Sequence, residues 1–131
     1  MTEVTSEGSV LVVDDNADAA STLASVLRYA GFDVRTADDG LSALRIAAEF
    51  RPDVALLDIG LPVMDGYELA RRLRDEYKAD IRLVAITGYG REGDRLLAEN
   101  AGFDAHLVKP VDCALLERTL QDLPGNVGGG D

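Results

Sequence analysis

The sequence predicts an α/β fold: a doubly wound parallel sheet of five strands with helices on both faces. Along the 131-residue chain, five short apolar runs alternate with five segments of helical length. The runs are uniformly apolar and do not alternate with polar residues, which predicts strands that are buried on both faces. Strands that alternate with helices run parallel and are joined by right-handed crossovers, so the predicted pattern is (βα)5.

The predicted strands are short and rich in Val, Leu and Ile. They cover residues 10–13, 34–36, 54–57, 83–86 and 105–108. Runs of this length are too short to span a bilayer, so we expect no membrane segment. The length of the chain suits one domain, which we assign to residues 9–123. We expect residues 1–8 to be disordered and the Gly-rich residues 124–131 to form a flexible tail.

The first two predicted helices follow the first two strands. The first covers residues 17–30, where apolar side chains recur at i, i+3, i+4 and i+7 from Ala20, and Gly31 then supplies a C-terminal stop. The second runs from residue 39 to about residue 50. It must end before Pro52, because proline disfavours helical geometry in the residue that precedes it.

The remaining three helices are predicted from their caps and stops. The third opens at Asp65, whose carboxylate is followed by Glu68 three residues later in a variant of the capping box. The fourth and fifth cover residues 92–101 and 112–120, and the last ends before Pro124.

Charge and cysteine content narrow the function classes. The chain carries 13 basic and 24 acidic residues, a formal net charge of −11, which repels phosphate backbones, so we expect no direct binding to nucleic acid. Cys113 is the single cysteine, so an internal disulfide is impossible and a reducing compartment is favoured. We interpret Cys113 as a small core residue of the last helix. No signal peptide is expected at the N-terminus, and we predict a cytoplasmic protein.

Reactive side chains stand at the ends of four of the five predicted strands. They are Asp14 and Asp15 after the first strand, Asp58 after the third, Thr87 after the fourth and Lys109 after the fifth. Carboxyl ends of parallel strands share one edge, where α/β sheets bind ligands. Clustered carboxylates repel one another, and without a cation one of them takes up a proton. Oxygen ligands without His or Cys favour Mg²⁺.

Such a site suits phosphoryl transfer to a carboxylate. An aspartate beside Mg²⁺ can attack a phosphoryl group, because the metal offsets the charge of the approaching oxygens. Lys109 would hold one phosphoryl oxygen as a point charge, and the Thr87 hydroxyl would donate to another.

The same residues resemble a known family. Asp14 and Asp15 in VLVVDDN, Asp58 in LLDIGLPVMDGYEL, Thr87 in AITGYG and Lys109 in HLVKP are similar to the five signature positions of bacterial response-regulator receiver domains. The separations are 43, 29 and 22 residues from Asp15 through Asp58 and Thr87 to Lys109. The resemblance extends from residue 9 to residue 123.

The resemblance implies a flavodoxin-like sheet of order 2-1-3-4-5 with Asp58 as the phospho-acceptor. It further implies that Asp15, Asp58 and the backbone carbonyl of Gly60 bind Mg²⁺, while Asp14 acts through a water. It also implies a cis peptide bond between Lys109 and Pro110.

Two features concern switching and lifetime. His106 occupies the position where the family usually carries an inward-turning Tyr or Phe, so it is either an alternative rotamer switch or a solvated imidazole. The resemblance also implies that Gly60 and Tyr89 flank the path by which water reaches the phosphoryl group, so we expect them to set the lifetime of the modified state.

We therefore expect a phospho-accepting switch of a two-component phosphorelay and not an enzyme, although it would lose its phosphoryl group slowly to water. The phosphodonor would be a histidine kinase or a phosphotransfer protein, and the output partner is unknown. Thr87 and Lys109 would relay the conformational change to the fourth helix and fifth strand. Several segments look like the C-terminal receivers of hybrid sensor histidine kinases. The alternatives are a haloacid dehalogenase-like phosphatase, whose Asp-x-Asp nucleophile on the first strand this chain lacks, and a pseudo-receiver that binds partners without phosphorylation.

Overall fold

A computed structural model describes residues 8–61, 63–88, 101–109 and 111–122. These residues contain five strands, β1 (Ser9–Val13), β2 (Asp33–Ala37), β3 (Val54–Asp58), β4 (Arg82–Thr87) and β5 (Ala105–Val108). All neighbouring strands pair in parallel and the order is β2-β1-β3-β4-β5, which confirms the predicted flavodoxin-like topology.

Four helices connect or follow these strands within the described ranges. They are α1 (Ala17–Tyr29), α2 (Gly40–Phe50), α3 (Gly66–Tyr77) and α4 (Cys113–Asp122), and a short 3-10 turn, Lys78–Asp80, follows α3. In that part of the chain, no helix has the length and apolar content needed to cross a membrane. The helix predicted over residues 92–101, nearly all of the N-terminal segment 1–8 and the tail 124–131 lie outside the described residues.

The helix boundaries follow local sequence signals. The first three helices begin at side-chain caps that accept a backbone N–H three residues later: Asn16 from Ala19, Asp39 from Ser42 and Asp65 from Glu68. Gly31, at φ 105°, follows the end of α1, and the Gly31 and Phe32 N–H groups donate back to carbonyls of the last turn. α2 ends before Pro52, as the proline predicts, and its C-cap residue Arg51 adopts the left-handed conformation.

Two apolar cores lie on opposite faces of the sheet. In β1, Leu11 and Val13 point into the core that α2 and α3 cover, while Val10 and Val12 point into the core of α1 and α4. The buried residues that face both cores from the helices are small or aliphatic. Helix residues in the first core include Ala43, Ala47, Leu69 and Leu73, and those in the second include Ala24, Leu27, Leu116 and Leu120.

Two sequence-based interpretations are wrong. The edge strand β2 is not buried on both faces, because it pairs only with β1, and Asp33, Arg35 and Thr36 are exposed. Cys113 is also exposed and is not a core residue. It shares the helical period of Leu116 and Leu120, but it lies in the first turn of α4, and periodicity does not show where along a helix the core ends.

The open edge of β2 carries a side-chain cap. The Asp33 N–H and the Ala37 carbonyl bond toward β1, so the intervening Val34 and Thr36 direct their backbone groups away from the sheet. The Arg28 guanidinium of α1 donates to the outward carbonyl of Val34 at 2.9 Å.

A second arginine joins three segments at the amino edge of the sheet. The Arg74 guanidinium donates to the carbonyls of Lys78, Ile81 and Gly102 and to the carboxylate of Asp104, at 2.6–2.9 Å. The same Asp104 oxygen accepts the Leu83 N–H at 2.8 Å. These contacts tie the end of α3 to the start of β4 and to the segment that leads into β5.

Candidate functional site

The structure brings the five predicted side chains to one edge of the sheet. Asp14 and Asp15 follow β1, Asp58 ends β3, Thr87 ends β4 and Lys109 follows β5. The parallel register aligns these ends: Val13 faces Leu57, Asp58 faces Ile86 and Thr87 faces Val108. The predicted side chains therefore lie at one edge of the sheet, as the strand polarity predicts, while their roles stay predictions.

Three carboxylates form the base of the site. Asp14, Asp15 and Asp58 each offer an oxygen within 4.8 Å of the others. Asp14 is 3% exposed and Asp58 is 9% exposed, whereas Asp15 lies at the surface. A cluster of hard oxygen donors with one open, solvent-facing side is the ligand type that Mg²⁺ prefers, and the residues present therefore fit this ion.

Local turns hold the two buried carboxylates. One oxygen of Asp14 accepts the Asn16 N–H at 2.9 Å, and one oxygen of Asp58 accepts the Gly60 N–H at 3.0 Å. Both are turns in which an aspartate bonds to the backbone two residues ahead. Each turn fixes one carboxylate oxygen and leaves the second oxygen directed toward the shared site.

Lys109 bridges these second oxygens. Its Nζ lies 3.3 Å from Asp14 Oδ2 and 3.4 Å from Asp58 Oδ2, while its backbone N–H donates to the Thr87 carbonyl at 2.8 Å. Burial acts to lower the pKa of Lys109, but the charges of Asp58 and Asp14 outweigh it, so the pKa is raised. The ammonium is therefore fully charged at neutral pH.

Within the carboxylate cluster, Asp14 has a raised pKa. Burial raises its pKa, and the negative charge of Asp58 raises it further. The Asn16 N–H and Lys109 lower it, but the net direction is upward. This agrees with the expectation that clustered carboxylates without a metal ion favour protonation at one member.

Thr87 lies beside the acceptor position. It is one residue beyond Ile86, the register partner of Asp58, and it is 4% exposed. Thr87 is therefore a buried residue at the carboxyl end of the strand that adjoins β3.

Other predicted residues have simpler placements. Gly60 lies in the turn after Asp58, and a Cβ at Gly60 would be 3.7 Å from Asp58 Oδ1, but the role of its carbonyl as a metal ligand stays a prediction. His106 is half-buried in β5, pairs with Ala85, and lies on the face of β5 opposite to Leu107. Its role as a switch also stays a prediction. Tyr89 and the Lys109–Pro110 peptide bond lie outside the described residues.

Sequence reasoning missed two residues that shape the site. Asn16 both orients Asp14 through its N–H and caps α1 through its side chain. The signal was an Asn between an acidic pair and a helix. Gly66 packs against the backbone of Asp58, and only its place directly after an N-cap could have drawn attention to it.

Comparison with known proteins gives consistent results. Residues 10–121 match the family described as response regulator receiver domain. The transcriptional regulatory protein PrrA of Mycobacterium tuberculosis is 44% identical over 114 residues, which cover 87% of this chain and 48% of PrrA. The chain thus spans about half the length of this curated relative.

Two solved structures are similar over nearly their whole length. The receiver domain of sensor histidine kinase PA1611 from Pseudomonas aeruginosa, solved with a magnesium ion in its active-site cleft, has a TM-score of 0.81 at 34% identity. That match covers 91% of this chain and 98% of the other. A chain of the co-crystal of Saccharomyces cerevisiae Ypd1, a histidine phosphotransfer signalling protein, with the receiver domain of Ssk1 has a TM-score of 0.84 at 28% identity, covering 92% and 91%.

Proposed function

This chain belongs to the response regulator receiver domain family, and we propose that it is a phosphorylation switch whose acceptor is the carboxylate of Asp58. One observation carries the proposal. Asp58 lies within a three-carboxylate cluster, and the Lys109 ammonium is 3.4 Å from its outer oxygen. A buried carboxylate with a cation beside it is arranged to receive an anionic group.

The transfer itself needs one nucleophile and one leaving group. An oxygen of Asp58 attacks the phosphorus of a phosphohistidine in a donor protein. The P–O bond forms as the P–N bond breaks, and the electron pair of the P–N bond goes to the imidazole nitrogen. Gly60 keeps the other Asp58 oxygen in place through its N–H, so the carboxylate does not rotate during the attack.

Mg²⁺ would be held by Asp15, Asp58 and the Gly60 carbonyl, with Asp14 acting through a water. When bound, the ion supplies positive charge that offsets the phosphoryl oxygens as they approach the carboxylates. The oxygen-only donor set and the upward direction of the Asp14 pKa support a site that is short of positive charge.

Thr87 and Lys109 read the modified state. After transfer, the Lys109 ammonium pairs with a phosphoryl oxygen, and the Thr87 hydroxyl donates to another. Both contacts exist only when the phosphoryl group is present, and only such differential contacts shift a conformational population. Because Lys109 follows β5 directly and bonds to the Thr87 carbonyl, the change passes into the fifth strand, and we propose that it continues into the preceding segment.

The donor class is a histidine kinase or a phosphotransfer protein. One similar structure is a co-crystal of a histidine phosphotransfer protein with a receiver domain, which supports this proposal. Similarity to the receiver of a sensor histidine kinase supports the hybrid-kinase interpretation, whereas relatives such as PrrA are named as transcriptional regulators. We propose that the output lies with a partner or a further segment. We also propose that the protein acts in the cytoplasm and turns over no external substrate.

The experiment is phosphorylation by a small donor. The protein is incubated with Mg²⁺ and acetyl phosphate, and intact mass spectrometry follows the addition of one base-labile phosphoryl group. Asp58→Asn should abolish the addition, whereas the matched control Asp38→Asn, an exposed aspartate after β2, should leave it unchanged. Equal addition to Asp58→Asn would refute the acceptor assignment. No addition to the wild-type chain, from this donor or from phosphohistidine proteins, would favour the pseudo-receiver alternative.

A further inference from the structure

Gly66, the first residue of α3, lies against the backbone that carries Asp58. A Cβ at Gly66 would be 2.6 Å from the Asp58 carbonyl oxygen and 2.7 Å from the Ile59 Cα, closer than side chains approach backbone. Backbone conformation is not the reason for glycine here, since the positive-φ glycines of the described residues lie elsewhere in the chain. The close approach to the Asp58–Ile59 peptide is the reason.

The contacted backbone has little freedom to move. The Ile59 N–H donates to the Ile86 carbonyl at 3.0 Å, and Asp58 is paired with Ile86 in the sheet. The Gly66 N–H in turn donates to the Ile59 carbonyl at 3.1 Å. A methyl group at Gly66 must therefore displace either the start of α3 or the peptide on which Asp58 is mounted.

The same peptide aims the carboxylate. Asp58 Oδ1 accepts the Gly60 N–H at 3.0 Å, and Oδ2 lies 3.4 Å from Lys109 Nζ. Mg²⁺ requires near-octahedral oxygen ligands at about 2.0–2.1 Å, so a small displacement of the carboxylate weakens binding. A misplacement of about 1 Å costs about 10²-fold in the rate of a positioned reaction.

We propose that Gly66 is a positioning residue for the phospho-acceptor. Its lack of a side chain lets α3 lie directly on the Asp58–Ile59 peptide, and this contact sets the orientation of the Asp58 carboxylate and of the Gly60 turn. The inference rests on the proposed function of Asp58. It differs from a purely structural role because the displaced atoms belong to the reacting residue.

Two variants separate the positioning role from general stability. Gly40→Ala introduces an equally close contact, 2.7 Å, but with the Met64 sulfur, which belongs to a flexible side chain. Asp65→Ala removes the cap of α3, because the Asp65 carboxylate no longer accepts the Glu68 N–H, but it places no atom against Asp58. Both should lower stability without moving the acceptor.

The test compares Mg²⁺ affinity and the acetyl phosphate reaction rate in the three variants, with urea unfolding to establish that each is folded. We expect Gly66→Ala to lose at least about tenfold in Mg²⁺ affinity and about 10²-fold in rate. Gly40→Ala and Asp65→Ala should stay within about threefold of wild type in both. A Gly66→Ala protein with wild-type affinity and rate, or equal losses in Asp65→Ala, would overturn the proposal.

Two further outcomes are decisive. If Gly66→Ala is unfolded in buffer, all proteins are measured in trimethylamine N-oxide, which favours the compact state. A variant that remains unfolded there overturns the proposal, because the contact would then support the fold and not the carboxylate. If the wild type takes no phosphoryl group, the proposed function fails, but the loss of Mg²⁺ affinity in Gly66→Ala still tests the positioning role by itself.

Discussion

Replacing Lys109 by Met should destabilise the metal-free protein and make it bind Mg²⁺ more tightly. Methionine keeps most of the flexible apolar stem of lysine, is one atom shorter, and removes the ammonium group with its charge. In the metal-free state, the Lys109 ammonium is the cation that compensates Asp14 and Asp58, at 3.3 and 3.4 Å. Without it, two largely buried carboxylates keep their backbone hydrogen bonds but have no compensating cation.

The expected loss of unfolding free energy in Lys109→Met follows from the two Nζ–Oδ2 distances and from the burial of the side chains. Each contact is about 5 kcal/mol of Coulomb attraction at an effective dielectric constant of about 20, before any cost of desolvation. The Lys109 side chain is 37% exposed, so solvent screens most of this and the net value lies between a surface pair and a buried one. We expect the free energy of unfolding to fall by about 1–2 kcal/mol without Mg²⁺.

Bound Mg²⁺ should reverse most of this loss, because a divalent cation then supplies the compensation. A recovery of about 1 kcal/mol at saturation corresponds to about fivefold tighter Mg²⁺ binding by Lys109→Met, as thermodynamic linkage requires. Urea unfolding followed by far-UV circular dichroism, with and without Mg²⁺, measures the first quantity. Direct titration measures the second, and the two must agree.

Lys78→Met is the matched control, since Lys78 is the other lysine of the chain, is exposed and follows α3 at the opposite edge of the sheet. It should change neither quantity appreciably. If Lys109→Met lost no stability in metal-free buffer, or lost the same amount at saturating Mg²⁺, the account of Lys109 as the compensating cation would be wrong.

Two further variants test the electrostatics away from Lys109. Asp14→Asn should stabilise the metal-free protein at pH 7. The pKa of Asp14 is raised above its usual 3.8 in the folded state, so the folded state binds the proton more tightly than the unfolded state does. The stability of the wild type therefore falls as the pH rises from 3.8 through the raised pKa, and asparagine, which cannot ionise, avoids this loss. The stability gain of Asp14→Asn should vanish when urea unfolding is measured well below pH 3.8, where Asp14 is protonated in both states. A gain that persisted there would contradict a raised pKa for Asp14. Arg74→Ala should cost about 2–4 kcal/mol, because three carbonyls and Asp104 lose their donor. Arg72→Ala removes only an exposed pair with Glu68, which solvent screens, so it should leave the free energy of unfolding nearly unchanged. Equal unfolding midpoints for the two arginine variants would show that the Arg74 contacts contribute little.

The position of the site was predictable from the sequence, because strands that alternate with helices along the chain all run in the same direction. Once each apolar run is followed by a helix, all strands point the same way, and Asp14, Asp58 and Thr87 must share an edge. The order of the strands was not derivable in this way and came from the family resemblance. That order decides which strands are edges, which is why the exposure of Arg35 and Thr36 in β2 could not be read from the sequence.

Contacts between residues far apart in the sequence could not be predicted either. Arg74 and Asp104 are 30 residues apart, and nothing in either local pattern pairs them. The contact of Gly66 with Asp58 depends on the angle at which α3 leaves the loop, a property of packing and not of periodicity. Turn and cap residues such as Asp65 were predictable because their partners are three residues away.

The capped edge of β2 has a consequence for how copies of this protein meet. An open parallel sheet offers unpaired backbone groups at both edges, and an added strand from a second chain can extend it. At one edge, the Arg28 guanidinium occupies the outward carbonyl of Val34, and charged side chains flank the strand at Asp33 and Arg35. At the other edge, β5 is only four residues long. Both features disfavour the addition of a strand, and with it the edge-to-edge association that leads to aggregation.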